Sequence, residues 1–212
     1  MEETEKRVRS TQPQPPLAVA DLACRRGDTL LFKGLAFRVE AGRMAWIRGR
    51  NGRGKTSLLK LAAGLSTPDQ GQVLRDGRDL VYIGHANALN GDLSVGEALA
   101  FLLRLHGRPA GAADVLHALG RLGMQGRRHA AVRTLSQGQR RRVALARLAL
   151  EDRPSLWLLD EPFDALDAEG TRELNQLLQA HLQRGGAVVL SSHAGLDADL
   201  LQPAEVDLDR YG

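Results

Sequence analysis

The chain has 212 residues, 43% hydrophobic and 25% charged, which suits one folded domain with a small insertion and excludes wholesale disorder. Its net charge of +4 is unevenly placed: Arg121 to Arg147 hold eight arginines and no acid, so the remainder sums to −4. The longest runs without a charged side chain, Leu80–Gly91 and Gly185–Leu196, fall well short of the roughly 20 apolar residues of a membrane span.

Cys24 is the single cysteine, which excludes an intramolecular disulfide framework and a Cys-based metal cluster. A reducing, cytoplasmic setting is expected. Met1-Glu2-Glu3-Thr4-Glu5 is acidic and no apolar stretch follows, so no secretory signal is expected. The basic segment could serve nucleic acid, anionic lipid or a phosphate ligand, and charge alone does not choose.

Residues 1–16 mix charges with Gln and Pro and predict a flexible tail. Strands are expected at Leu17–Leu22, Leu35–Val39 and Met44–Arg48, the last running straight into a glycine-rich loop. Thr56–Ala63 reads as a helix stopped by Gly64, and Gln72–Leu74 and Leu80–Ile83 as strands. Ser94-Val95-Gly96-Glu97 has the form of a capping box opening a helix to about Leu105. Further helices are expected over Ala110–Leu122, Gly138–Leu150 and Thr171–Gln183, with strands at Leu156–Leu159 and Ala187–Ser191. Strand–helix alternation broken by a helical block predicts a parallel α/β core with a helical insertion at about residues 86–137.

Gly49-Arg50-Asn51-Gly52-Arg53-Gly54-Lys55-Thr56 fits the phosphate-binding pattern G-x-x-x-x-G-K-[ST], and Ser57 follows it. Bare backbone at the glycines lets several N–H groups converge on phosphate at a helix N-terminus. Lys55 is then a candidate for the β- and γ-phosphates, and the Thr56 hydroxyl for Mg²⁺. Leu156–Leu159 is an apolar strand whose end presents Asp160 toward that Mg²⁺, with Glu161 next to polarise an attacking water. Leu135-Ser136-Gln137-Gly138-Gln139 precedes another helix, offering the Ser136 hydroxyl and the Gly138 amide at a second positive helix end. His193 follows the strand Ala187–Ser191, at the carboxyl edge where open α/β sheets bind ligands.

In this order and spacing the chain resembles ATP-binding-cassette ATPases over Leu17 to Leu208. Within them it most resembles the haem-exporter ATP-binding subunits of bacterial cytochrome c maturation. The narrower likeness rests on Leu31-Phe32, Val81-Tyr82-Ile83-Gly84-His85, Gln139–Leu148 and Leu159-Asp160-Glu161-Pro162-Phe163, and on the lack of extra domains. The resemblance implies a P-loop NTPase core over residues 17–212, with an antiparallel β subdomain and an inserted helical subdomain. It implies ATP and Mg²⁺ as ligands, a homodimer with two ATP molecules between head-to-tail copies, and integral membrane permease subunits as partners. It places the protein at the cytoplasmic face of the bacterial inner membrane. Catalysis would fall to Glu161, His193 and Lys55, nucleotide contacts to the loop, Ser57, Ser136, Gly138 and Gln139, and metal contacts to Thr56, Asp160 and His85.

Departures from the wider family are specific. His85 stands where most members carry Gln, and an imidazole there can still bond water or metal. The adenine-stacking aromatic near position 26 is missing, so Arg26, whose planar guanidinium can stack on a base, takes its place. Gln137 replaces a common Gly, and Asp164 a common Ser.

The consecutive Arg140, Arg141 and Arg142 cannot all face one ligand on a helix, and read as a solvated face with ion pairs. Nucleic-acid binding is not expected, because no aromatic falls within Arg121–Arg147 to stack on bases. Direct haem binding is not expected either, there being no Cys-x-x-Cys-His. The competing functions are the ATPase of another small transporter with lipid, ion or drug cargo, and a cassette ATPase acting on ribosomes or nucleic acid. A small-molecule kinase would share the phosphate loop but have no use for Ser136–Gln139.

Overall fold

The computed structural model describes residues 14–212, so most of the stretch read as a flexible tail lies outside the described residues. The elements are Leu17–Arg26 (β1), Thr29–Val39 (β2), Met44–Arg48 (β3), Lys55–Ala63 (α1), Gln70–Arg75 (β4) and Leu80–Ile83 (β5). After these come Val95–Leu105 (α2), Ala112–Arg121 (α3), Gln137–Ala146 (α4), Leu156–Asp160 (β6), Ala168–Gln183 (α5) and Ala187–Ser191 (β7). Ala198–Leu201 (α6) and Ala204–Asp207 (β8) close the chain, followed by a 3₁₀ turn at Leu208–Tyr211.

Two sheets form: an antiparallel one ordered β2-β1-β4, and a parallel one ordered β5-β6-β7-β3-β8. The central strands β6 and β7 are buried at every position, which explains their unbroken apolar sequence: both faces of the sheet are covered. Alternation along them then divides the core in two. Trp157, Leu159, Val188 and Leu190 pack with α2, α3, α4 and α5. Leu156, Leu158, Ala187 and Val189 pack with α1, β1 and β2 on the other face. Residues 86–137 hold α2, α3 and two 3₁₀ turns, and contribute no strand to either sheet.

The capping box forms as read: the Glu97 amide donates to Ser94 Oγ at 3.3 Å, and the Ser94 amide to Glu97 Oε2 at 2.9 Å. Three expectations change. β1 runs on to Arg26 through register shifts around Asp21, whose φ is +47°. The helix expected to Leu150 ends at Ala146 and tightens into a 3₁₀ turn, Arg147–Leu150. Finally, β8 was not read from sequence, because only Val206 among its four residues is buried. It lies at the sheet edge, where one-sided burial leaves little pattern.

His181 on α5 is fully buried beneath the central sheet, with its ring stacked on Trp157 at 3.7 Å between centroids. Nε2 donates to the Ser155 carbonyl at 3.0 Å, while Nδ1 has no partner among the described residues. Burial therefore favours the neutral ring and pushes its pKa down to about 4. Below an unfolded value of about 6.5, the unfolded chain takes up a proton that the folded chain refuses, so stability falls with pH. We expect this histidine to remove about 3 kcal/mol between pH 6.5 and 4. Urea unfolding across that range should show the loss, and His181→Phe should flatten the slope while lowering stability at neutral pH.

Candidate functional site

β3 ends at Arg48, and the glycine-rich loop turns the chain directly into α1. Gly54 caps α1 with φ +100°, and a Cβ there would press on Leu31 and Phe32 at 3.1–3.2 Å, so any larger residue would be strained. No side chain among the described residues caps this helix, and no acid lies in its first turn. The amides of its first turn thus remain free for an anion at the positive helix end.

Three parallel strands deliver the rest. The Lys55 ammonium is buried, donating to the Gly49 carbonyl at 2.9 Å. It lies 3.1 Å from His193 Nε2 beyond β7, and 3.9 Å from Glu161 Oε1 beyond β6. Lysine has only donors, so His193 Nε2 is the acceptor in that pair. Thr56 Oγ1 donates to Asp160 Oδ2 at 2.8 Å, and Ser191 Oγ donates to Asp160 Oδ1 at 2.8 Å. The sequence thus placed Lys55, Thr56, Asp160, Glu161 and His193 in one cluster, and the fold brings them together.

Glu161 itself is held in the left-handed region, φ +47°, its amide donating to Ser191 Oγ at 3.0 Å. Burial raises its pKa above the ordinary carboxylate range, and the Lys55 ammonium 3.9 Å away offsets part of that. Its Oε2 is buried with no partner among the described residues. Such an orphan acceptor suits a group that must take a proton from a bound water.

Thr56 and Asp160 offer oxygen donors only, a set that fits a hard cation which keeps waters and phosphate oxygens as its other ligands. His85 lines the same cavity of about 410 Å³ as Thr56 and Asp160. Its side chain is 65% exposed and its Nδ1 stands 3.8 Å from Asp164 Oδ2, a rim position. Arg26 lies exposed at the tip of the β1–β2 hairpin opposite Thr29; that hairpin packs on the loop through Leu31 and Phe32.

Within the loop, Asn51 and Gly52 are exposed at the turn. The Arg50 amide donates to Asp209 Oδ2 at 3.2 Å, and Arg53 Nε donates to the Leu208 carbonyl at 3.2 Å. These contacts strap the loop to the C-terminal turn, and the role of Asp209 was invisible in sequence.

Ser136 caps α4 in a second capping box, with the Gln139 amide 3.2 Å from Ser136 Oγ and the Ser136 amide 3.1 Å from Gln139 Oε1. A Cβ at Gly138 would collide with the Ala165 carbonyl, so this glycine lets the loop Asp164–Asp167 lie on the first turn of α4. Ser136, Gly138 and Gln139 line a cavity of about 320 Å³ with Arg127 and Ala165. None of the phosphate-loop residues lines it, so a single chain does not bring its two helix ends together there.

The solvated reading of the arginine run fails for Arg141 and Arg142, and Arg147 is buried as well. Arg142 donates to the Leu122 carbonyl at 3.2 Å and to the Asp167 carboxylate, and Arg147 donates to the Tyr82 carbonyl. Positions 141–146 are all buried, so α4 has apolar and charged residues packed around its whole circumference. The charge count had no means of showing this.

Residues 32–164 match the family model described as ABC transporter. The chain is 47% identical over 192 residues to the Cytochrome c biogenesis ATP-binding export protein CcmA of Pseudomonas syringae pv. tomato, covering 85% of this chain and 90% of that one. It is 43% identical over 208 residues to the protein of the same name from Pseudomonas fluorescens, covering 93% and 98%. Among solved structures, an ATP binding subunit of an ABC transporter aligns with TM-score 0.72 and 25% identity, over 84% of this chain and 79% of that one.

Ser191 joins the two carboxylate residues, so its hydroxyl is the contact to test. Ser191→Ala leaves the Glu161 amide without its acceptor, and we expect a loss of about 1–3 kcal/mol in urea unfolding.

Proposed function

The chain belongs to the ABC transporter family, and from that premise we propose that it is the ATP-hydrolysing subunit of a membrane complex for c-type cytochrome assembly, energising haem export or release of a haem carrier. The observation that carries the chemistry is the meeting of Lys55, Thr56, Asp160, Glu161 and His193 at the ends of three parallel strands. The cytochrome assignment is supported by relatives of that name at 43–47% identity over most of both chains.

In this reading, the free amides at the start of α1, from Lys55 through Ser57, hold the phosphates of ATP together with the loop Gly49–Gly54. The Lys55 ammonium neutralises the β- and γ-phosphates. Thr56 and Asp160, with His85 at the rim, hold Mg²⁺, which when bound offsets charge on the transferred phosphoryl group. Glu161 orients and deprotonates the attacking water, and His193, within 3.5 Å of Glu161 Oε1, contacts the γ-phosphate. Arg26 stacks on the base from the β1–β2 hairpin.

Each site is completed by a second copy, whose Ser136, Gly138 and Gln139 present the start of α4 to the γ-phosphate. The separation of these residues from the phosphate loop within one chain supports that arrangement. Residues 17–212 form the ATPase domain, and the helices of residues 86–137 its inserted subdomain. Phe101 and Leu105, one turn apart on α2 and 57% and 66% exposed, give that subdomain an apolar face for integral membrane permease subunits. No helix among the described residues is long and apolar enough to cross a membrane. With permease subunits as its partners, this reading puts the chain at the cytoplasmic face of the inner membrane as a peripheral subunit. Neither nucleic acid nor direct contact with haem enters this reading.

In the full complex, Glu161→Gln should lower ATP turnover by about 10²- to 10⁴-fold and give a dimer that persists in ATP on size-exclusion chromatography. Near wild-type hydrolysis would remove Glu161 from its role. Because Glu161 acts deprotonated and its pKa is raised, the acid limb of the wild-type kcat profile should lie above the ordinary carboxylate range of about 4.3. In cells, Lys55→Ala should abolish holo-cytochrome c; normal maturation would point instead to another exporter's cargo.

A further inference from the structure

Arg141 is 3% exposed, yet among the described residues no carboxylate is hydrogen-bonded to it. Its guanidinium donates to the carbonyls of Asp160 at 2.6 Å, Glu161 at 2.8 Å and Pro162 at 3.3 Å. It also donates to the Gly84 carbonyl at 2.9 Å and to Asn87 Oδ1 at 3.2 Å. Two segments distant in sequence are thereby joined: the turn that carries Glu161, and the loop that carries His85. Both are tied to α4, whose first turn begins at Ser136.

The backbone at Glu161 explains the need. A non-glycine residue with φ +47° sits in an unfavourable region and persists only where its surroundings fix it. Ser191 Oγ accepts from the Glu161 amide and Arg141 donates to the Glu161 carbonyl, so both peptide groups of this residue are clamped. Only a planar fork of five donors meets five acceptors spread over two segments; the three donors of lysine do not. Burial disfavours the cation and lowers its pKa, with Asp164, Asp160 and Glu161 offsetting part of the cost through space.

We propose that Arg141 is a positioning residue for hydrolysis: it fixes the conformation of Glu161 and makes the base, the His85 loop and α4 move as one body. Docking of a second copy's nucleotide on the start of α4 is then felt at the carboxylate that activates water. The proposal rests on the reading of Glu161 as the base, and the test separates the two.

Arg141→Gln, Arg141→Lys, Asn87→Ala and Glu161→Gln are compared in the full complex. The readouts are kcat, affinity for a non-hydrolysable ATP analogue, and thermal midpoint. Arg141→Gln should lower kcat by about 30- to 100-fold and leave analogue affinity within about threefold. Arg141→Lys should recover part of kcat. Asn87→Ala, a loop substitution that leaves the helix intact, should lower kcat about threefold at an unchanged thermal midpoint. Arg141→Gln with kcat within twofold of wild type overturns the proposal. So does a parallel fall of kcat and analogue affinity, which marks a purely structural role. Should Arg141→Gln fail to fold, Asn87→Ala decides, and an unchanged kcat there overturns it. Turnover retained by Glu161→Gln overturns the base assignment itself, and Arg141 falls with it.

Discussion

Asp160 is 1% exposed, and both of its carboxylate oxygens accept hydrogen bonds, one from Thr56 and one from Ser191. A buried carboxylate left short of partners would be strongly destabilising, so these contacts are a requirement of the fold as much as of the site. Satisfying them fixes α1 against the end of β6, and the end of β6 against the end of β7. The consequence is that Lys55, Glu161 and His193 have no freedom to drift apart. They arrive within about 4 Å of one another because the strands beneath them are in register, Asp160 opposite Ser191.

The same logic accounts for the basic segment. A charge count sees eight arginines without an acid, and on a surface that would be a large patch. In the fold, Arg141, Arg142 and Arg147 turn inward and end on backbone carbonyls or on acids from elsewhere in the chain. Arginine suits this work because its charge is spread over a plane and is weakly hydrated, so burial against carbonyls costs less than for an ammonium. Three of the eight arginines therefore lie inside the protein, between α4 and the loops around the site, while Arg127 and Arg133 stay exposed.

How far the sequence was legible follows from what kind of pattern each feature leaves. The central strands and α1 could be read because burial on both faces forces unbroken apolar runs, and a phosphate loop has a fixed spacing of glycines. β8 could not, since an edge strand with one buried residue leaves no such run. Among the site residues, Lys55, Asp160 and Glu161 carry their chemistry in their local motif. Ser191, Arg141 and Asp209 do not: each acts on a partner far away in sequence, and only the folded register says which. Arg141 was further masked by its neighbours, because three like residues in a row read as a solvated stretch although positions 141–146 are all buried.

Two helix N-termini remain the central electrostatic fact of the proposed assembly. Among the described residues the start of α1 has no side-chain cap, while the start of α4 is closed by Ser136 and Gln139. Two positive helix ends brought face to face across copies repel, so the pairing gains nothing without an anion between them. In the proposed assembly a γ-phosphate would supply that anion and take hydrogen bonds from both ends; with its cleavage the shared acceptor would be lost and the repulsion would return. Gly138 links this to the catalytic turn, since its missing side chain is what lets the Ala165 carbonyl rest on α4. The loop following Glu161 therefore leans on the very helix end that a second copy's nucleotide would meet, and closure and chemistry share one mechanical connection.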